Sequence, residues 1–323
     1  VPPPQLIPGS TIALYSPRAK RFLRMNSNAD MDSSGQWDVT KAIPYDWSWE
    51  RFTVVDAGSG QLALHSSIHN RFVRMARGDE MDVSGICAAN LLPGAASWTW
   101  ERFTAVNVGK GQIAFHNKLH NRYIRMSPEG IVDNSAARDV SGIPDSWSWE
   151  RWQVVEVAPY LKPGSVVALH SAIHNRFLRM NDQADMDRSG TKNANELPDN
   201  WSWERFTVVE GQNGQVALHS AKWNRFIKMS NDNMEASVLK AAADLPPPAD
   251  WTYERFAIVP AGKGEIALHN TLHNRFIRMT NDGVDSSGHR NAQDLPSDWT
   301  WERFRVVEVS TSSGDDGAWS FDS

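Results

Sequence analysis

Short apolar runs rich in Val, Ile, Phe and Trp recur along the whole chain, each bounded by Gly, Pro, Asn or Asp. That pattern predicts β-strands. No sustained stripe of apolar residues at i, i+3, i+4 and i+7 appears, so no long amphipathic helix is expected. Val216-Ala217-Leu218-His219 exemplifies a first strand, His174-Asn175 a tight connection, and Arg176-Phe177-Leu178-Arg179-Met180 a second strand. In that second strand, alternation prevents Phe and Met from both sharing a face with Leu. The aromatic residue and an aliphatic one are therefore expected to divide between core and cap. Six or seven residues later an acid opens a turn, at Asp32, Asp82, Asp133, Asp187, Glu235 and Asp285, with Ser always two residues on. Gly follows at Gly35, Gly85, Gly190 and Gly288. A carboxylate that accepts a local N–H beside a conformationally free Gly is turn chemistry. A polar stretch then leads to Ile-Pro or Leu-Pro, an aromatic motif and a last strand such as Arg205-Phe206-Thr207-Val208-Val209.

These segments are six copies of one unit. Trp-x-(Trp/Tyr)-Glu-Arg-(Phe/Trp) begins at Trp47, Trp98, Trp147, Trp201, Trp251 and Trp299, in steps of 51, 49, 54, 50 and 48 residues. The longest step contains Ala158-Pro159-Tyr160-Leu161-Lys162-Pro163-Gly164, whose prolines and glycine read as a linker. The expected organisation is a first domain over 1–157, a linker over 158–164, a second domain over 165–309 and a flexible acidic tail over 310–323. Trp319 and Phe321 in that tail could dock on a neighbour.

Three units of about four strands per domain is the β-trefoil arrangement. The unit Gly-x-Val-Ala-Leu-His-Ser … Arg-Phe-Leu-Arg-Met … Arg-Phe-Thr-Val-Val-Glu resembles trefoil repeats of the fascin-like and agglutinin type. The layout of two tandem trefoils is similar to that of amaranthin-type plant lectins. The resemblance implies an all-β fold of two tandem β-trefoil domains and carbohydrate binding. The Gln-x-Trp signature of ricin-B-type repeats is absent, so no site map transfers residue by residue. The competing architecture is a six-bladed propeller with one four-stranded blade per copy.

Composition narrows the function. Thirty-three Lys and Arg against 38 Asp and Glu give a net charge of −5, which argues against coating nucleic acid or anionic membrane. Cys87 is the sole cysteine, so no intrachain disulfide and no cysteine-based zinc site can form. No apolar run is long enough to span a membrane. The opening Val1-Pro2-Pro3-Pro4 does not read as a secretory leader, and location stays open between cytoplasm and secretion. No Gly-x-Ser-x-Gly elbow, phosphate loop or activated cysteine appears, and every carboxylate of interest is repeated sixfold. A catalytic constellation is normally unique in a chain, so a non-enzymatic protein without cofactors is expected.

The candidate sites are repeat positions. Twelve aromatic slots, from Trp47 and Trp49 to Trp299 and Trp301, suit sugar stacking, but their presence in every copy favours a structural role. The Glu-Arg pair within the motif reads as a local charge-assisted scaffold. His65/His69, His116/His120, His170/His174 and His269/His273 sit at i, i+4, but they flank a strand and a turn, so helical metal-site geometry does not carry over. No metal is expected. The acid turns offer polar ligand contacts: Asp32, Asp82, Asp187 and Asp285 would accept sugar hydroxyl protons, and Asn70, Asn121, Asn175 and Asn274 would donate amide hydrogens. The third copy, with Ala136, and the fifth, with Glu235 and Val238, are expected to be weak or dead. Trp223, beside Asn224, is expected as an exposed stacking ring. The partners expected are glycans or glycoproteins, with a homodimer allowed and no nucleic acid. The alternatives are an actin cross-linker of fascin type and a storage or defence protein.

Overall fold

The computed structural model describes residues 6–78 and 80–309. The expected tail over 310–323, with Trp319 and Phe321, lies outside the described residues. The chain divides into two compact units that change over at Tyr160/Leu161, with Ile258–Ile266 grouped in the first. The described residues are strands, turns and three short 3-10 segments at Ala89–Leu91, Ala242–Asp244 and Ala292–Asp294. The chain is all-β and repeated.

The first sheet contains β1 (Thr11–Ser16), β2 (Arg21–Met25), β3 (Met31–Ser33), β4 (Phe52–Gly58), β5 (Gln61–Ser66) and β6 (Arg71–Met75). It continues with β7 (Met81–Val83), β8 (Thr104–Asn107), β9 (Gln112–Asn117), β10 (Arg122–Met126), β11 (Val132–Asn134) and β12 (Trp152–Glu156). Its pairing closes on itself. β1 pairs β4, β4 pairs β5, and a Leu62–Phe103 bridge joins β5 to the entry of β8. β8 pairs β9, β9 pairs β12, and β12 returns to β1 with Ile12 opposite Glu156. The hairpins β2–β3, β6–β7 and β10–β11 stand outside this ring of β1, β4, β5, β8, β9 and β12. Closure leaves the ring with no edge to aggregate.

The second sheet repeats the plan. Its strands are β13 (Val166–Ser171), β14 (Arg176–Met180), β15 (Met186–Arg188), β16 (Phe206–Gln212), β17 (Gln215–Ser220) and β18 (Arg225–Ser230). They are followed by β19 (Asn233–Ala236), β20 (Phe256–Gly262), β21 (Glu265–Asn270), β22 (Arg275–Met279), β23 (Val284–Ser286) and β24 (Phe304–Val309). β13, β16, β17, β20, β21 and β24 pair in succession, and β24 returns to β13. Strands of three successive copies thus share one sheet, whereas a propeller confines each copy to its own blade. The propeller alternative does not describe this chain.

Alternation sorts the side chains. In β2, Leu23 and Met25 enter the central core with Leu14, Phe52, Phe103 and Trp152, while Phe22 faces the other way. Phe22 is covered by Trp37, Ile43 and Trp47, and Phe72 in the next copy by Cys87, Leu92 and Trp98. The first Trp of the motif is the lid of this outer layer at Trp47 and Trp98, and Trp251 packs on Phe226 likewise, which explains why strands such as β5 are buried on both faces. The 158–164 stretch is tied at both ends: Ala158 and Leu161 are buried, Ala158 O accepts from Arg51, and Gly164 N–H donates to Val208 O.

Candidate functional site

The acid of each turn is bound within its own hairpin. Arg24 donates Nε–H and Nη2–H to the two Asp32 oxygens at 2.7 and 2.8 Å, and Arg179 and Arg278 grip Asp187 and Asp285 at 2.7 Å through both nitrogens. Arg74 holds Asp82 and Arg125 holds Asp133 in the same fork. In the fifth copy both partners change together, and Lys228 lies 2.8 Å from Glu235. The Ser two residues on is equally engaged: Ser34 Oγ accepts Phe22 N–H at 2.9 Å and donates to Gly35 O at 2.7 Å. All six copies repeat that contact. Asp32, Asp82, Asp187 and Asp285 are therefore not free acceptors. Their side chains stay 29–36% exposed, so only their outer edges meet solvent.

The Asn residues serve the backbone. Asn70, Asn121, Asn175 and Asn274 have φ near +50° (51, 54, 50 and 51°), a left-handed turn position that Asn tolerates best after Gly. Asn121 Oδ1 lies 3.0 Å from His116 Nε2, which also faces Arg138 O at 3.1 Å. With two acceptors before it, Nε2 carries the proton. His170–Asn175 and His269–Asn274 repeat the arrangement. Asn175 and Asn274 spend an amide hydrogen on Asn193 and Asn291. The first copy keeps this plan with other residues: Lys20 takes the positive φ and Tyr15 O–H donates to Trp37 O.

The second histidine of each i, i+4 pair joins successive copies. His69 Nε2 lies 3.1 Å from Met25 O of the preceding copy. His120 packs on Trp100, His273 on Tyr253, and His174 on Trp301, closing the second ring from its first copy to its last. Burial holds His120, His174 and His273 below the usual imidazole range, and nearby Arg cations add to the effect. Trp223 occupies this same latch position. It is half-buried, packs on Trp203 at 5.5 Å and donates Nε1–H to Met180 O at 2.8 Å, so it is not the exposed ring expected. Among the described residues, no three His, Cys, Asp or Glu side chains converge as a metal site.

The Glu-Arg pair acts as the charge-assisted scaffold expected of it, through bonds that the Arg makes to the backbone. The Arg clamps backbone carbonyls: Arg151 donates to Trp147 O at 2.7 Å, Val108 O at 2.6 Å and Pro144 O at 3.1 Å. This explains why Ile/Leu-Pro, Trp and Arg travel together in sequence. The Glu is buried, and desolvation raises the carboxyls of Glu50, Glu101, Glu150, Glu204, Glu254 and Glu302. Each is pulled partly back by its own N–H and the facing cation, as Glu302 is by Arg278.

The second aromatic of the motif lies beneath the cation of the acid turn. Arg24, Arg74, Arg125 and Arg179 lie 5.2–5.3 Å over Trp49, Trp100, Trp149 and Trp203, and Lys228 lies 5.8 Å over Tyr253. Pockets lie beside this ring in the fifth and sixth copies. One of about 270 Å³ is lined by Arg278, Asp298, Trp299, Thr300, Trp301 and Glu302. One of about 410 Å³ has Lys228, Asp250, Trp251, Thr252, Tyr253 and Glu254 in the equivalent places, with Val238 and Leu272 added. Tyr253 and Trp301 are the most exposed rings of the motif, at 40% and 36%. Aromatic faces ringed by carboxylate, hydroxyl and ammonium or guanidinium groups can stack on a pyranose and bind its hydroxyls. The sequence pointed to the motif aromatics but missed Asp250, Asp298, Thr252 and Thr300, whose only signal is recurrence within a motif that reads as scaffold.

No family pattern matches the chain, and no curated protein matches it. Among solved structures, a mosquitocidal holotoxin aligns with 92% of this chain at a TM-score of 0.35 and 10% identity. The chain spans 33% of that toxin's length. At that distance the likeness assigns neither fold nor ligand.

Proposed function

We propose that the chain is a non-enzymatic, multivalent carbohydrate-binding protein of lectin or agglutinin type, built as two tandem β-trefoils over residues 1–157 and 165–309 joined by 158–164. The closed six-strand rings, each with three outer hairpins, support the trefoil reading. The observation that carries the function is the pair of equivalent pockets floored by the exposed rings Tyr253 and Trp301. On this reading the sugar meets the exposed part of the ring, beside Lys228 and His273 at Tyr253 and beside His174 at Trp301. Asp250 or Asp298 accepts from its hydroxyls, and Thr252 or Thr300 completes the polar edge. Asp285 acts through Arg278, and Asp32, Asp82 and Asp187 hold the equivalent walls; the turn asparagines shape the hairpins. Weak single sites gain strength when several engage one glycan-bearing surface, and pairing of two chains would add to it.

The test is a glycan array with the full chain beside the double variant Tyr253→Ala, Trp301→Ala. Sugar-competable signal that the double variant loses is the expected result. A blank array at high protein concentration, or signal unchanged in the double variant, overturns the proposal.

A further inference from the structure

The fifth copy departs from its siblings at linked positions. Lys228 and Glu235 replace Arg and Asp, Tyr253 replaces Trp, and Val238 stands where four copies have Gly. On sequence these changes suggest a degraded site, yet its pocket is larger than that of the sixth copy. Val238 and Leu272 are 66% and 56% exposed, and both line it. Leu272 belongs to the hairpin tip of the next copy, so the pocket spans a seam between copies. Asp250, Thr252 and Glu254 give its lining polar groups, and Val238 and Leu272 add apolar ones.

We propose that the fifth-copy pocket is a composite subsite in which Val238 and Leu272 receive the apolar substituent, or aglycone, of a sugar bound beside Tyr253, and that the sixth-copy pocket lacks this preference. The inference rests on the carbohydrate-binding reading. Its chemistry is amphipathic: hydroxyls face Asp250 and Thr252, and a hydrocarbon group meets two exposed aliphatic side chains that otherwise sit in water. The sixth copy offers a built-in contrast. Gly288 occupies the Val238 position, and a Cβ placed there would lie 3.8 Å from Trp299 Cη2, ordinary contact without a clash. Ile173, exposed at 59%, stands at the hairpin-tip position of Leu272. Gly288→Val should therefore build the missing wall.

The experiment titrates the full chain with phenyl β-D-glucopyranoside, phenyl β-D-galactopyranoside and phenyl α-D-mannopyranoside, each beside its methyl glycoside. Indole N–H resonances of Trp251 and Trp299 report the two pockets separately. The expected result is a roughly tenfold preference for a phenyl over its methyl glycoside at Trp251. That preference should fall to about twofold or less in Leu272→Ser and in Val238→Ser, and should appear at Trp299 in Gly288→Val. Both serine replacements are at exposed positions, and a wild-type-like amide spectrum verifies the fold. Equal response of Trp251 to phenyl and methyl glycosides, or a preference that survives both serine variants, overturns the subsite while leaving sugar binding intact. Response at Trp299 alone does the same. Silence of both indoles toward all six glycosides overturns the subsite and the carbohydrate reading together.

Discussion

Replacing Arg51 with Met tests whether the repeated Arg is a carbonyl clamp. The guanidinium is 5% exposed and donates to Trp47 O at 3.0 Å, Ala158 O at 2.7 Å and Pro44 O at 2.9 Å. Met fills the stem but donates nothing. Ala158 is 4% exposed, so its carbonyl loses a partner with little water to replace it, at about 2 kcal/mol. The other two carbonyls are partly accessible and lose about 1 kcal/mol each. Burial lowers the Arg51 pKa, so removing the charge also relieves a desolvation cost that offsets part of this loss. The net loss is about 3 kcal/mol, or roughly 6–12 °C in Tm for a unit of this size. Among the described residues Arg205 in the second unit donates to the partly or fully solvent-accessible carbonyls of Trp201, Pro198 and Asp199, so Arg205→Met should also destabilise, by about 1 kcal/mol or more. Scanning calorimetry of both full-length variants gives the comparison. A loss below about 1 kcal/mol for Arg51→Met would refute the clamp.

Three further outcomes follow from the same geometry. The raised carboxyl of Glu204 binds a proton more tightly folded than unfolded, so its contribution is favourable below the ordinary value of 4.5 and is lost as pH rises through the native value. Glu204→Gln should therefore narrow the fall in Tm between pH 4 and 8, and an unchanged pH profile would contradict the burial account. Asn175 holds φ +50° and accepts from His170, so Asn175→Ala should lose about 1–2 kcal/mol and Asn175→Gly less, as read by urea midpoints. Asp82→Asn breaks a partly exposed ion pair whose Arg lies over Trp100, and should cost about 0.5–1 kcal/mol, less in 1 M salt; a salt-independent loss would point to packing instead.

The repeat made much of this chain legible. Six spaced copies of short apolar runs, Gly and Pro punctuation and one aromatic motif determined an all-β chain of repeated hairpins, because strand alternation and turn chemistry are local properties. Retention of the motif in every copy also marked it correctly as scaffold at Trp47 and Trp98, whose rings cover Phe22 and Phe72. Partnership and exposure were not legible. Asp32 looks like a free acceptor until β2 and β3 pair in register and bring Arg24 opposite it. Trp223 looks like an exposed ring until the neighbouring copy supplies Trp203 and Met180 O. The lining of the fifth-copy pocket is not visible until Leu272, from the copy that follows, is set beside Tyr253 and Val238. Local pattern determines which way a side chain leaves its strand. Only closure of the ring decides which copy's residues it meets, since those neighbours are about 50 residues away in sequence and adjacent only after the strands have paired.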